Sequence, residues 1–128
     1  MILNCEGTVP KLDGLEELNA LHVTAVTKLD VDDVVREYPK LKELRLWGKP
    51  GKIINFEKLA KFSELEVLTT MDVFGFTASE VPRPDDLKKL YRLWMDSLPE
   101  EAAKEVKKFY KKRKSEGLDL RITKPRKE

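Results

Sequence analysis

A chain of 128 residues has the usual length of one domain, so a two-domain enzyme closing around a cleft is not expected. Apolar residues make up 41% and charged residues 38%, the latter above the roughly 25% of an average soluble domain, and no apolar run approaches the ~20 residues of a membrane span. Residues 1–80 carry ten Lys+Arg against fourteen Asp+Glu, whereas 81–128 carry fifteen against nine, so positive charge gathers late in the chain.

Residues 1–10 have neither a basic leader nor an apolar core, so a monomeric, cytoplasmic protein without a membrane anchor is expected. Ile2, Leu3 and Cys5 read as a leading strand, with Cys5 a small buried side chain that has no disulfide partner. Leu18, Leu21 and Val23 then give the spacing Leu-x-x-Leu-x-apolar, in which residues two apart share one face of an extended chain. Asp30 stands as N-cap before Val31, Val34, Val35 and Tyr38, an i, i+3, i+4, i+7 stripe closed by Pro39.

The leucine spacing returns at Leu41, Leu44 and Leu46, and Asn55 before Phe56, Leu59 and Ala60 predicts a second helix. A weaker copy has Leu65 and Leu68 with Thr70 in the third place. After Pro82 and Pro84, Asp85 to Leu90 have room for only about one turn, so this connection is expected to be irregular. Leu90, Leu93 and Met95 restore the full spacing.

Ser97 with Glu100 predicts a capping box, with Pro99 in the first turn of a long helix and Gly117 as its left-handed C-terminal cap. Ala102, Val106, Phe109 and Tyr110 form its apolar stripe. Leu118, Leu120 and Ile122 supply a short final strand. A single domain over 1–128 follows, with a lead at 1–14, repeats over 15–96, a cap over 97–122 and a frayed tail at 123–128. Strands alternating with short helices at this spacing require parallel pairing.

The segments LNALHV (18–23), LKELRLW (41–47), LEVLTTM (65–71), LYRLWM (90–95) and GLDLRI (117–122) carry a resemblance to the leucine-rich repeat family over roughly 15–122. Taking Leu21, Leu44, Leu68, Leu93 and Leu118 as equivalent, the steps are 23, 24, 25 and 25 residues, inside that family's period of 20 to 29. Where the family has an Asn or Cys after the strand, this chain has Gly48, Asp72, and Asp96 or Ser97. DVFGF (72–76) and GLDLRITKPRK (117–127) are similar to short bacterial members. The resemblance implies an α/β solenoid of about five parallel strands, with helices on the outer side, a C-terminal capping helix, and an exposed strand face that binds a macromolecule, usually protein. An open doubly wound sheet is the alternative, and a strand order departing from chain order would mark it.

With the leucines inward, His22, Arg45, Thr69, Trp94 and Asp119 form one outward column, and Thr24, Trp47, Met71, Asp96 and Arg121 the next. Trp47 and Trp94 would lie about 10 Å apart across the sheet, with Met71 between them. Arg45, Trp47, Met71, Trp94, Asp96 and Arg121 are therefore the expected protein-binding residues, since aromatic and arginine anchors dominate interfaces. In the competing reading the indoles pack inside the protein, beneath a loop from Val73 to Arg83 where Phe74 and Phe76 also need cover.

No catalytic constellation, cofactor or metal site is expected. His22 has no second histidine or nearby cysteine, the six glycines are scattered singly, and the pairs Asp32/Asp33, Asp85/Asp86 and Glu100/Glu101 suit the first turns of helices. A second function rests on Lys107, Lys108, Lys111, Lys112 and Arg113, which would attract nucleic acid or an acidic partner, with Tyr110 available to stack on a base. The plainer reading of that helix is a solvated face.

Overall fold

The computed structural model describes residues 1–124. Six strands, β1 (Ile2–Glu6), β2 (Ala20–Asp30), β3 (Glu43–Ile54), β4 (Val67–Phe74), β5 (Arg92–Asp96) and β6 (Asp119–Ile122), form one open sheet. Every neighbouring pair is parallel and the strands stand in chain order. A doubly wound order is thus ruled out for the described residues. The leading segment, β1, adds one strand to the five expected, pairing Leu3 with Leu21 and Cys5 with Val23.

One rung of leucines crosses the whole sheet. Leu3, Leu21, Leu44, Leu68, Leu93 and Leu120 are successive Cα partners, and the four central ones have no exposed surface. The last member differs from the expected Leu118. Gly117 takes a left-handed φ of 111°, and the Leu118 N–H donates to the Arg113 carbonyl at 2.9 Å, so Leu118 belongs to the turn and the strand begins at Asp119.

Helical segments pack on the leucine side, and their apolar stripes join the strands in one buried cluster. In α1 (Val31–Glu37) Asp30 acts as the expected N-cap, its side chain accepting from the Asp32 N–H at 2.9 Å. Tyr38 closes this helix, and its hydroxyl donates to the Pro10 carbonyl at 2.5 Å. Phe56–Lys61 is a 3-10 helix rather than an α-helix. Asn55 does not cap it: the residue is left-handed and its amide donates to Asp30 instead, at 2.9 Å.

The third connection is irregular, as expected. A three-residue 3-10 turn, Ala78–Glu80, is capped by Thr77, and Asp85 to Leu90 contain turns without a helix. Asp86 is therefore no first-turn helical carboxylate; it accepts from the Arg83 N–H at 3.0 Å. Phe76 stacks on Phe56, centroids 3.9 Å apart, while Phe74 stays exposed.

The C-terminal helix is broken into α2 (Glu100–Phe109) and α3 (Lys111–Ser115) at Tyr110. Its expected capping box does not form. Ser97 is left-handed (φ 67°) and its N–H donates to the Thr123 hydroxyl at 3.1 Å, which pulls the chain toward β6 before the helix begins behind Pro99. Ala103, Val106 and Tyr110 are the buried residues, whereas Ala102 and Phe109 lie at the margin. Thr123, assigned by sequence to a frayed tail, extends the sheet: its N–H donates to Met95 O at 3.1 Å and its carbonyl accepts from the Leu98 N–H at 2.9 Å. Lys124, also assigned to that tail, donates to Glu100 Oε1 at 3.1 Å, and 125–128 lie outside the described residues.

Thr70 occupies the inward position between Leu46 and Met95, fully buried, and its hydroxyl has no hydrogen-bond partner among the described residues. An unpaired hydroxyl in an apolar rung costs about 1–3 kcal/mol. Thr70→Val, which keeps the branched shape, is expected to raise the urea midpoint, a stabilisation of about 1 kcal/mol; an unchanged or lower midpoint would show that the hydroxyl finds an acceptor.

Candidate functional site

Between the inward leucines, the alternating residues of each strand emerge on the face that the helices leave open. Cα pairing orders them into three columns. The first runs Ile2, Ala20, Glu43, Val67, Arg92, Asp119, and the second Asn4, His22, Arg45, Thr69, Trp94, Arg121. The third contains Glu6 opposite Thr24, and Trp47, Met71 and Asp96 in succession. His22, Arg45, Thr69 and Trp94 thus share a column as expected, but Thr69 is buried, as are Ala20 and Val67 in the first column. The two-residue shift in β6 moves both of its members one column back: Arg121, expected beside Asp96, faces Trp94, and Asp119, expected beside Trp94, faces Arg92.

That shift changes what the site can do. The Arg121 guanidinium lies 4.3 Å from the Trp94 ring centroid and that of Arg92 4.6 Å, so the indole is packed by two cations of its own chain. Arg92 Nε also donates to Asp119 Oδ2 at 3.1 Å. The Asp119 carboxyl is held below the usual carboxylate range, first by the Trp94 indole N–H and then by Arg92.

Trp47 stands differently. It is 37% exposed and has Met71, half-buried, as its neighbour on β4. Asp96 follows on β5 and accepts from the Thr123 hydroxyl at 3.2 Å. The two indoles are therefore in adjacent columns, offset diagonally, with Trp94 half-buried against Arg92 and Arg121. At the β1 side, His22 Nε2 meets the Glu43 carboxylate and Nδ1 lies 3.1 Å from Asn4 Oδ1. Glu43 is also 3.5 Å from Arg45 Nε.

Just beyond the third column the sheet bends. Gly7, Ala25, Asp72 and Ser97, each next in chain to a column member, all have positive φ. At that level β3 inserts a bulge between Trp47 and Gly51. Asp72 and Ser97 are among the positions where the sequence lacks the Asn or Cys, and the backbone turns there through left-handed residues instead, whereas Gly48 lies in the bulge of β3 without a positive φ. Beyond the bend, β2 and β3 continue with Lys28 opposite Lys52 and Lys52 opposite Phe74. This second leg went unread because the leucine spacing ends before it.

The Lys-rich helix is not one uniform site. Lys107, Lys108, Lys111 and Lys112 are exposed, but Arg113 faces inward. Its guanidinium donates to the carbonyls of Pro84 at 2.9 Å and Leu90 at 2.8 Å, with Leu87 and Lys88 at 3.5 and 3.4 Å. Arg113 thereby ties down the irregular loop through its carbonyls, and it is withdrawn from the expected anion site. Tyr110 is buried and donates to Pro82 O at 2.5 Å, so it cannot stack on a base; burial pushes its hydroxyl well above the usual tyrosine range.

Cys5 on the edge strand β1 is half-buried, and burial raises its thiol. Among the described residues, no group of three His, Cys, Asp or Glu side chains is placed to hold a metal ion, and no helix is long and apolar enough to cross a membrane. Comparison with protein-family models, curated proteins and solved structures finds no match to this chain.

Proposed function

We propose that this chain is a short leucine-rich-repeat-like solenoid that binds a protein partner on the outer face of its sheet, and that it catalyses no reaction. The solenoid reading is supported by the unbroken leucine rung in chain order and by the recurring bend one residue after the third column. The binding reading is carried by one observation: Trp47 and Met71 form an apolar step on an open face. An exposed indole beside a thioether offers a partner large apolar area at small entropic cost.

Trp94, clamped between Arg92 and Arg121, is a rigid support rather than the anchor, and it presents the two guanidinium groups at fixed positions. Arg45 and Asp96 border the step. The titratable groups of the face are engaged with one another, His22 with Glu43 and Arg92 with Asp119, which suits recognition better than proton transfer. Trp47→Ala is expected to weaken capture of the partner by about 2 kcal/mol, roughly thirtyfold, without loss of fold. The check is a pulldown followed by titration with the captured protein; undiminished recovery with a normally folded variant overturns the assignment.

A further inference from the structure

Past the bend, the outer sheet surface carries a row that folding does not account for. Lys28, Lys52 and Phe74 are direct neighbours on β2, β3 and β4, all exposed, whereas their chain neighbours Leu29, Ile53 and Val73 are buried. Lys49 is exposed on the adjoining bulge. Like charges directly opposite on adjacent strands repel. Among the described residues, none of these lysines has a carboxylate within 4.0 Å, whereas Lys40 is paired with Glu17, Lys89 with Glu64 and Arg92 with Asp119; other surface lysines, such as Lys107 and Lys111, are also unpaired, but Lys28 and Lys52 stand directly opposite each other.

Carboxylates lie near the row without pairing with it. Lys28 lines a hollow with Asp30, Asp33 and Glu37, but Asp30 is engaged with the Asp32 N–H and with Asn55, and Asp33 with Arg36, while Asp72 is exposed at the bend of β4. Phe74, 50% exposed, ends the row because β5 stops at Asp96. Two ammonium groups and an open aromatic ring thus stand side by side, and the Trp47–Met71 step lies across the bend on the same two strands, β3 and β4.

We infer that the partner presents an extended acidic segment to this row, with an apolar side chain next to its carboxylate. The inference rests on the protein-binding reading and adds to it the charge of the partner. Strands about 4.8 Å apart bring Lys28 and Lys52 close enough for one carboxylate to accept from both. Its binding converts a repulsive pair into two charge-assisted hydrogen bonds, while the neighbouring apolar group covers Phe74 and the segment continues toward Trp47. A single-stranded nucleic acid would also be drawn to lysines beside an aromatic ring. The row favours the shorter ligand, since it is two cations wide and ends in Phe74 instead of continuing as a track for a phosphate backbone.

The test uses three fluorescein-labelled peptides of equal length that alternate Phe with Glu, Gln or Lys, and an oligothymidylate, each titrated by anisotropy against the full chain. The Glu peptide is expected to bind best, less tightly as salt is added. Lys28→Glu should weaken it at least ~10-fold and yet raise the thermal midpoint, because the new carboxylate faces Lys52. Phe74→Ala should weaken it by ~5-fold or more. Equal binding of the Gln peptide, abolished by Trp47→Ala, overturns the charge assignment and leaves the protein-binding face intact. Unchanged Glu-peptide affinity in Lys28→Glu also overturns it. Tighter binding of the oligothymidylate makes nucleic acid the occupant, and binding of none of the probes counts against both readings.

Discussion

Gly48→Ala is expected to cost at least about 3 kcal/mol, enough to leave much of the protein unfolded at room temperature if its stability is ordinary. A Cβ at Gly48 would sit 2.2 Å from the Asp72 carbonyl oxygen and 2.2 Å from the Gly51 nitrogen. Both obstacles are backbone, one in the neighbouring strand and one across the bulge, so no side-chain rotation relieves them. Relief requires β3 to move away from β4, which disturbs the pairing of Trp47 with Met71 and of Gly51 with Val73. Gly14→Ala is the control. Its Cβ would meet nothing within 4 Å, and only the left-handed φ of 83° is strained, a cost of about 1–2 kcal/mol. Urea unfolding followed by circular dichroism should separate the two variants clearly; similar midpoints would mean that the bulge is soft.

Leu68→Ala should lose about 3–4 kcal/mol, within the range for a fully enclosed leucine. Leu68 has no exposed surface, and its rung neighbours Leu44 and Leu93 are equally enclosed, so the vacated volume has nowhere to collapse. Leu120→Ala, at the far end of the same rung and only half-buried, should lose about 1 kcal/mol. The gradient along one rung is the informative quantity in the same denaturation experiment. Equal losses at both positions would show that the strands do not share a single core.

The identity of the inward residues was legible because burying one face of a strand demands period-two alternation, and Leu21, Leu44, Leu68 and Leu93 all lie inward; that Ala20, Val67 and Thr69 on the other face are buried too was not legible from it. Helix α1 was legible for a similar local reason, since Asp30 and Pro39 mark its ends. Helix α2 was misread at its start. Ser97 is a good cap by residue type, but the Thr123 hydroxyl, 26 residues later, competes for its N–H.

The candidate site was half legible. Trp47 and Met71 follow from alternation alone. That Trp94 is stacked by Arg92 and Arg121 depends on β6 starting at Asp119 and not at Leu118, a choice made by Gly117 and the Arg113 carbonyl. Arg113 itself looked like one more cation on a basic helix. Its role as donor to the Pro84 and Leu90 carbonyls appears only when helix and loop are brought together.

By itself, the sequence determined which side chains leave water, because hydrophobic periodicity is a local property that each strand or helix must satisfy on its own. It thereby set the parallel pairing and the outward position of Trp47. Tertiary structure decided the register of β6, the bend after the third column and the meeting of Lys28 with Lys52. Each of these depends on backbone groups far apart in the chain competing for the same partners, and residue spacing carries no record of that competition.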